Sequence, residues 1–252
     1  MVTKDTYEPC FTTIPNTTLG RWKLLREFAR RWHGVSLGSV GVESSLVKQE
    51  QTRLGVNLPL SFREYIAFAD ELIAQNAFRI LRDGYRVRRL DEHSATSLLL
   101  ISENDVYWAV KDEFFADDDP PVDIYFLDYD NDKERRFIGR GTRYPSITSF
   151  VLEHMAHFLY GKGGGFCVRV ELTDANRNEM YAVFPVTSQM DNIQIFEKKN
   201  IVVFLISDIN DNKRQMMHVN FFRPIPTAEI PECLKACTSN GGCFHGEFAN
   251  KS

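Results

Sequence analysis

Hydrophobic positions along this chain change period several times. Trp22, Leu25, Phe28, Ala29 and Trp32 recur at three- and four-residue spacing among Arg21, Lys23, Arg26, Arg30 and Arg31, which predicts an amphipathic helix stopped at Gly34. Leu46, Val47, Glu50 and Leu54 predict a second helix, with Gly55 ending it in left-handed geometry. The turn Val56-Asn57-Leu58-Pro59-Leu60 leads to a third, starting at Ser61 with Glu64 at capping-box spacing and a stripe of Phe62, Tyr65, Ile66, Ala69 and Ile73. Residues 1–20, with Pro9, Pro15 and many threonines, read as an extended arm.

The period then shortens to that of strands. Phe78-Arg79-Ile80-Leu81 and Leu98 to Ile101 are strand-like, with a hairpin turn at Asp83-Gly84. Val106 to Val110 and Val122 to Leu127 are rich in β-branched and aromatic residues. Between them Asp117-Asp118-Asp119-Pro120-Pro121 must be a loop, because the prolines have no N–H to donate. Asp130-Asn131-Asp132 predicts a turn and Arg135 to Gly139 a further strand, and a helix over Thr148 to Tyr160 buries Val151, Leu152, Met155, Phe158 and Leu159. Gly161-Lys162-Gly163-Gly164-Gly165 reads as a linker and a domain boundary. Beyond it Phe166, Val168, Val170 and Leu172 alternate with polar residues. Met180 to Val186, Ile193 to Phe196, Ile201 to Ile206 and Gln215 to Phe222 follow as strands with hairpin-length joins. Ile201 to Ile206 lacks alternation and should be the central strand covered on both faces, and Pro231 to Cys237 suits a short helix.

The expected class is α+β: N-terminal helices packed on a mostly antiparallel sheet, followed by a C-terminal antiparallel β-meander. The expected organisation is an arm over 1–20, an α+β domain over 21–160, a β-rich region over 163–237 and a flexible tail over 238–252.

Composition alters this picture at one place. The 252 residues are 43% hydrophobic and 25% charged, ordinary for a globular protein, and the net charge is only −4. Yet Glu103 to Glu134 holds twelve Asp or Glu against Lys111 and Lys133, a local balance of −10, so the remainder is mildly basic. Arg82, Arg86, Arg88 and Arg89 form a counterweight, although exposed pairs contribute only about 0–1 kcal/mol each. Two readings stay open for the acidic stretch: a solvated loop beside an edge strand, or a surface that steers a basic protein partner. On the second, the candidate partner-binding residues are Asp112, Glu113, Asp117, Asp118, Asp119 and Asp123, with aromatic anchors Tyr107, Trp108, Tyr125 and Tyr129.

Other chemistry is poorly supported. A pI of about 5.9 argues against a nucleic-acid partner, and no apolar run is long enough for a membrane. The first twenty residues carry no secretory signal and five cysteines is an odd count, so reduced thiols and a cytoplasmic location are expected. Cys233, Cys237, Cys243 and His245 cluster without a C-x-x-C step, and Glu153-His154-Met155-Ala156-His157 is EHxxH rather than HExxH, so its histidines read as core-edge residues. No metal or other cofactor is expected. The glycine tract lacks the Lys-Ser/Thr of a phosphate cradle, and no nucleophile or dinucleotide motif occurs. A metal-dependent hydrolase using the Asp117–Asp123 carboxylates is therefore the weaker alternative to a non-enzymatic binding protein.

The run Glu50, Leu54-Gly55, Leu58-Pro59, Phe62, Tyr65, followed by Tyr107-Trp108, by Asp119-Pro120-Pro121-Val122 and by Ile147-Thr148-Ser149-Phe150, resembles the SUKH superfamily over residues 40–160. That group includes a yeast cell-wall-synthesis regulator and many bacterial immunity proteins. Glu50 stands one residue further from Leu54-Gly55 than the family pattern, and Asp70-Glu71-Leu72 continues helically where members commonly turn. The resemblance implies an immunity protein that neutralises a toxin domain, often a nuclease or deaminase, by occluding its active site. An intracellular regulatory scaffold or adaptor is the alternative it leaves.

Overall fold

Gly34 and Gly55 both adopt left-handed backbone, φ 69° and 66°, and close the first two helical segments where the sequence places their ends. The computed structural model describes residues 7–42, 44–75, 87–98, 106–129, 135–158, 165–207, 215–223, 225–238 and 243–245. The strand expected at 78–81, the one at 98–101 apart from Leu98, which lies outside any strand, the turns at 83–84 and 130–132, and most of the glycine linker lie outside them. The fold is α+β, with helices and two antiparallel sheets. It divides into two compact units that do not follow the expected boundary at the glycine tract. One comprises Asn16–Arg26 and Val35–Val151, and the other Met1–Pro15, Glu27–Gly34 and Leu152–Ser252.

In the first unit, α1 (Thr18–Phe28) contributes Trp22 and Leu25 to the core. Trp22 donates its indole N–H to Ser61 Oγ at 2.8 Å and meets Phe68 edge-on at 5.6 Å. α2 (Ser45–Leu54) is capped by Ser44, whose hydroxyl accepts from Leu46 N. α3 (Leu60–Ala74) begins one residue earlier than expected, with Pro59 at its cap. The expected capping box does not form. Ser61 is turned to the indole, while Glu64 accepts the N–H of Gly41 at 2.6 Å and faces Arg26 at 3.6 Å. Arg26, itself buried, also pairs with Glu71 at 2.8 Å and donates to Gly38 O, so its charge is matched by two carboxylates.

The sheet of this unit runs β1 (Arg89–Leu90), β2 (Ala95–Ser97), β3 (Val106–Lys111), β4 (Val122–Tyr129) and β5 (Arg135–Tyr144), each pairing antiparallel with the next. β3, β4 and β5 match the periodicity. The hairpin of β1 and β2 was not legible, because both strands are very short and their turn carries Ser94 at positive φ. Register shifts between Val122 and Tyr125 bend β4 against β5 near Gly141, at φ 87°. Phe150, in α4 (Ile147–Phe158), packs against Trp108, Tyr144 and Tyr65.

The second unit holds β6 (Gly165–Val170), α5 (Asp174–Val183), β7 (Val186–Met190), β8 (Ile193–Lys198), β9 (Ile201–Ser207), β10 (Gln215–Phe221), α6 (Glu232–Thr238) and β11 (Cys243–His245). The sheet order is β11-β6-β10-β9-β8-β7, so β7 to β10 form the expected meander and β9 lies inside it, buried along nearly its whole length. Two expectations are corrected. The strand expected over Met180 to Val186 is mostly α5: Thr173 caps that helix by accepting from Asn176 N, and Met180 and Phe184 enter the apolar core. The tail expected to be loose supplies β11 at the edge, paired with β6.

The N-terminal segment is not a free arm either. Phe11 is fully buried against Phe28 and Phe204, at 5.1 and 5.5 Å. Glu197, buried in β8, accepts from Tyr7 Oη at 2.5 Å, Cys10 N at 2.9 Å and Phe11 N at 2.8 Å. Burial, then that carboxylate, pushes the Cys10 thiol up to about 12. Glu197→Ala strands both backbone donors, and urea unfolding should show a loss of about 2–4 kcal/mol with the slope unchanged. A loss below about 0.5 kcal/mol would mean the segment is held by Phe11 alone.

Past α1 a wider turn over Ala29–His33 ends at Gly34. Both ring nitrogens of His33 are sealed from solvent, without hydrogen bonds among the described residues, and burial holds the imidazole down to about 3. Native His33 thus stays neutral where the unfolded chain, titrating near about 6.5, takes a proton. Stability should fall as pH drops below about 6.5, with His33 contributing at most about 1.4 kcal/mol per pH unit. A His33→Phe chain should show a shallower slope in denaturant midpoints measured between pH 7 and 4.

Candidate functional site

Antiparallel pairing of β3 with β4 sets Tyr107 opposite Tyr125 and Ala109 opposite Asp123 on one face, and Val106 opposite Phe126 and Trp108 opposite Ile124 on the other. The two expected anchors of β3 therefore point opposite ways. Trp108 is half-buried, its ring 5.9 Å from Phe150. Tyr107 is half-buried against a small cluster of Leu90, Ala95, Ala109 and Tyr125.

Tyr125 is corrected from anchor to core: it is 2% exposed, lies 4.9 Å from the His93 ring, and covers Gly139, where a Cβ would stand 3.2 Å from the ring. Burial, then Asp123 and Glu113, raises its phenol to about 12. The Tyr129 side chain lies outside what is described.

The six acids separate into two groups. Asp119, expected at the partner surface, instead caps α4: its carboxylate accepts from Thr148 N at 3.1 Å and Thr148 Oγ1 at 2.5 Å, with Arg21 at 3.8 Å. Burial raises this carboxyl above its ordinary value, opposed by Thr148, Ser61 and Arg21. Asp123 is likewise corrected, being 3% exposed and paired with Lys111 Nζ at 3.1 Å. Asp112 is partly buried and holds Arg89 through two hydrogen bonds, at 2.5 and 2.6 Å.

Glu113, Asp117 and Asp118 face solvent, and Glu113 makes a long contact of 3.8 Å to Lys111. Among the described residues no cation pairs with Asp117 or Asp118, although Asp118 O accepts from Ser61 N at 2.8 Å. The aspartates of this turn do not converge on a common point. The described ligand groups that do converge belong to His157, Cys167 and His218.

Two features escaped the sequence. Phe126 and Ile138 are register partners of β4 and β5, and both are exposed, 36% and 42%. With half-buried Val106, Trp108 and Ile124 on β3 and β4 they make an apolar strip. Their strands alternate normally, so nothing in the pattern distinguished a covered end of the face from an open one. The Cys-His group draws its members from a helix and two strands, and no local spacing announces it.

No protein-family model, no curated protein and no solved structure matches this chain. Among the described residues no helix is long and apolar enough to cross a membrane.

The division of acids is directly measurable. Asp119→Ala should lower stability by about 1–2 kcal/mol through loss of the α4 cap, whereas Asp118→Ala should stay within about 0.5 kcal/mol of the parent. Thermal unfolding of both variants reads this out, and equal effects would contradict the capping assignment.

Proposed function

We propose that this protein is a non-enzymatic protein-binding module, an immunity protein of the SUKH type that occludes the active site of a toxin domain acting on nucleic acid, a nuclease or deaminase. The observation that carries the reading is the apolar strip of Phe126 and Ile138, bordered by Trp108, within the same unit as the solvent-facing acids Glu113, Asp117 and Asp118. Exposed apolar patches of this kind supply anchors for a partner, and solvent-facing acids supply the field that guides a basic one. Enzymes that bind nucleic acid carry basic clefts, which fit such a field. The motif order from Glu50 to Phe150 supports the same reading, and the helices α2 and α3 beside an antiparallel sheet agree with the architecture that resemblance implies.

The test is capture of a partner from lysate of the protein's own source, with washes at low and high salt. The expected partner is a single basic protein released by salt. Lys at positions 113, 117 and 118 together (Glu113→Lys, Asp117→Lys, Asp118→Lys) should slow association about tenfold or more at low salt with the melting temperature unchanged, and Phe126→Ala should speed dissociation. No partner at either salt, or charge-reversed protein that associates as fast as the parent, would sink the proposal.

A further inference from the structure

Cys167 in β6 and His218 in β10 are register partners, so their side chains stand side by side on one face of the sheet. Cys167 Sγ lies 4.0 Å from His218 Nε2. His157, in the last turn of α4, sets its ring edge-on to His218 with centroids 5.3 Å apart. One potential ligand atom from each of the three lies within 4.8 Å of the other two.

We propose that His157, Cys167 and His218 form a binding site for a borderline-soft transition-metal ion of the zinc class, held by one thiolate and two imidazoles. A tetrahedral zinc ion, with Zn–S of about 2.3 Å and Zn–N of about 2.0–2.1 Å, sets its sulfur and nitrogen ligands about 3.6 Å apart. The Cys167–His218 pair reaches that separation with a movement of a few tenths of an ångström, within the freedom of their χ angles. Binding forms three coordinate bonds, and the Cys167 thiol releases its proton to solvent.

The surroundings favour a ligand over a filler. The opposite face of these strands carries Phe166, Val168, Met217 and Val219 in the apolar core, where purely hydrophobic side chains suffice. His218 is 2% exposed, and among the described residues its Nδ1 has no hydrogen-bond partner, a cost that a coordinate bond at Nε2 would offset.

A nucleophilic Cys-His pair is the competing reading, but its substrate would have to reach a sulfur on a residue only 7% exposed. A metal ion is smaller than any substrate and can enter beside the half-buried His157. Cys233, from the cysteine cluster near the C-terminus, sits in the apolar core rather than with this group.

The site is tested with Co2+ as the probe and Zn2+ as competitor on the metal-stripped full chain. Cobalt should produce sulfur-to-metal charge-transfer absorption that saturates near about one ion per chain and is displaced by zinc. Cys167→Ser should abolish the band, Cys233→Ser should keep it, and His157→Ala should weaken cobalt affinity at least about tenfold. Circular dichroism confirms the fold of each variant, and His157→Ala decides the matter if Cys167→Ser does not fold. A folded parent chain with no such band in excess cobalt overturns the site, as does a band unchanged in either folded variant.

Discussion

Antiparallel register decides which side chains meet in both units. Slipping any of these strands by one residue would move its whole set of side chains to the other face. In the first unit the β3–β4 register puts Tyr125 into a small apolar cluster and sends Phe126 to the face that carries Trp108. In the second the β6–β10 register places Cys167 beside His218 while Val168 and Met217 face the apolar core. β9 anchors that second register, because a strand of Ile, Val, Phe and Leu buried on both faces cannot shift without exposing one of them.

The charge of the chain is organised by the same packing. Buried and half-buried acids each serve a structural partner: Asp119 the start of α4, Asp123 the Lys111 ammonium, Glu64 and Glu71 the Arg26 guanidinium, and Glu197 two backbone donors. These groups cannot also meet a partner protein, since losing any of them leaves an uncompensated charge or donor inside. What remains for recognition is a smaller set, Glu113, Asp117 and Asp118, together with an apolar strip that composition gave no reason to single out. The acidic surface of the proposed immunity function is thus narrower than the sequence density of acids implies.

Much of the local structure was legible in the sequence. The stripe from Trp22 to Trp32, the stops at Gly34 and Gly55, the strands at Val106 and Val122 and the central strand at Ile201 all follow from period and backbone preference, which act over a few residues. Failures came where two local rules competed. Residues 180–183 look strand-like by side chain, yet Thr173 and Asp174 start a helix upstream that carries through them. Ser61 and Glu64 have capping-box spacing, but the Trp22 indole takes Ser61, and the Gly41 N–H and Arg26 take Glu64, away from the helix start.

The sequence alone determined the α+β class, most elements and the concentration of acid between Glu103 and Glu134, because these depend on spacing and composition. Only the tertiary structure decided which acids are buried, which aromatics are core, and that His157, Cys167 and His218 converge. Those outcomes depend on pairings between residues as much as 190 positions apart, which are set by the packing of whole elements rather than by any short stretch of chain.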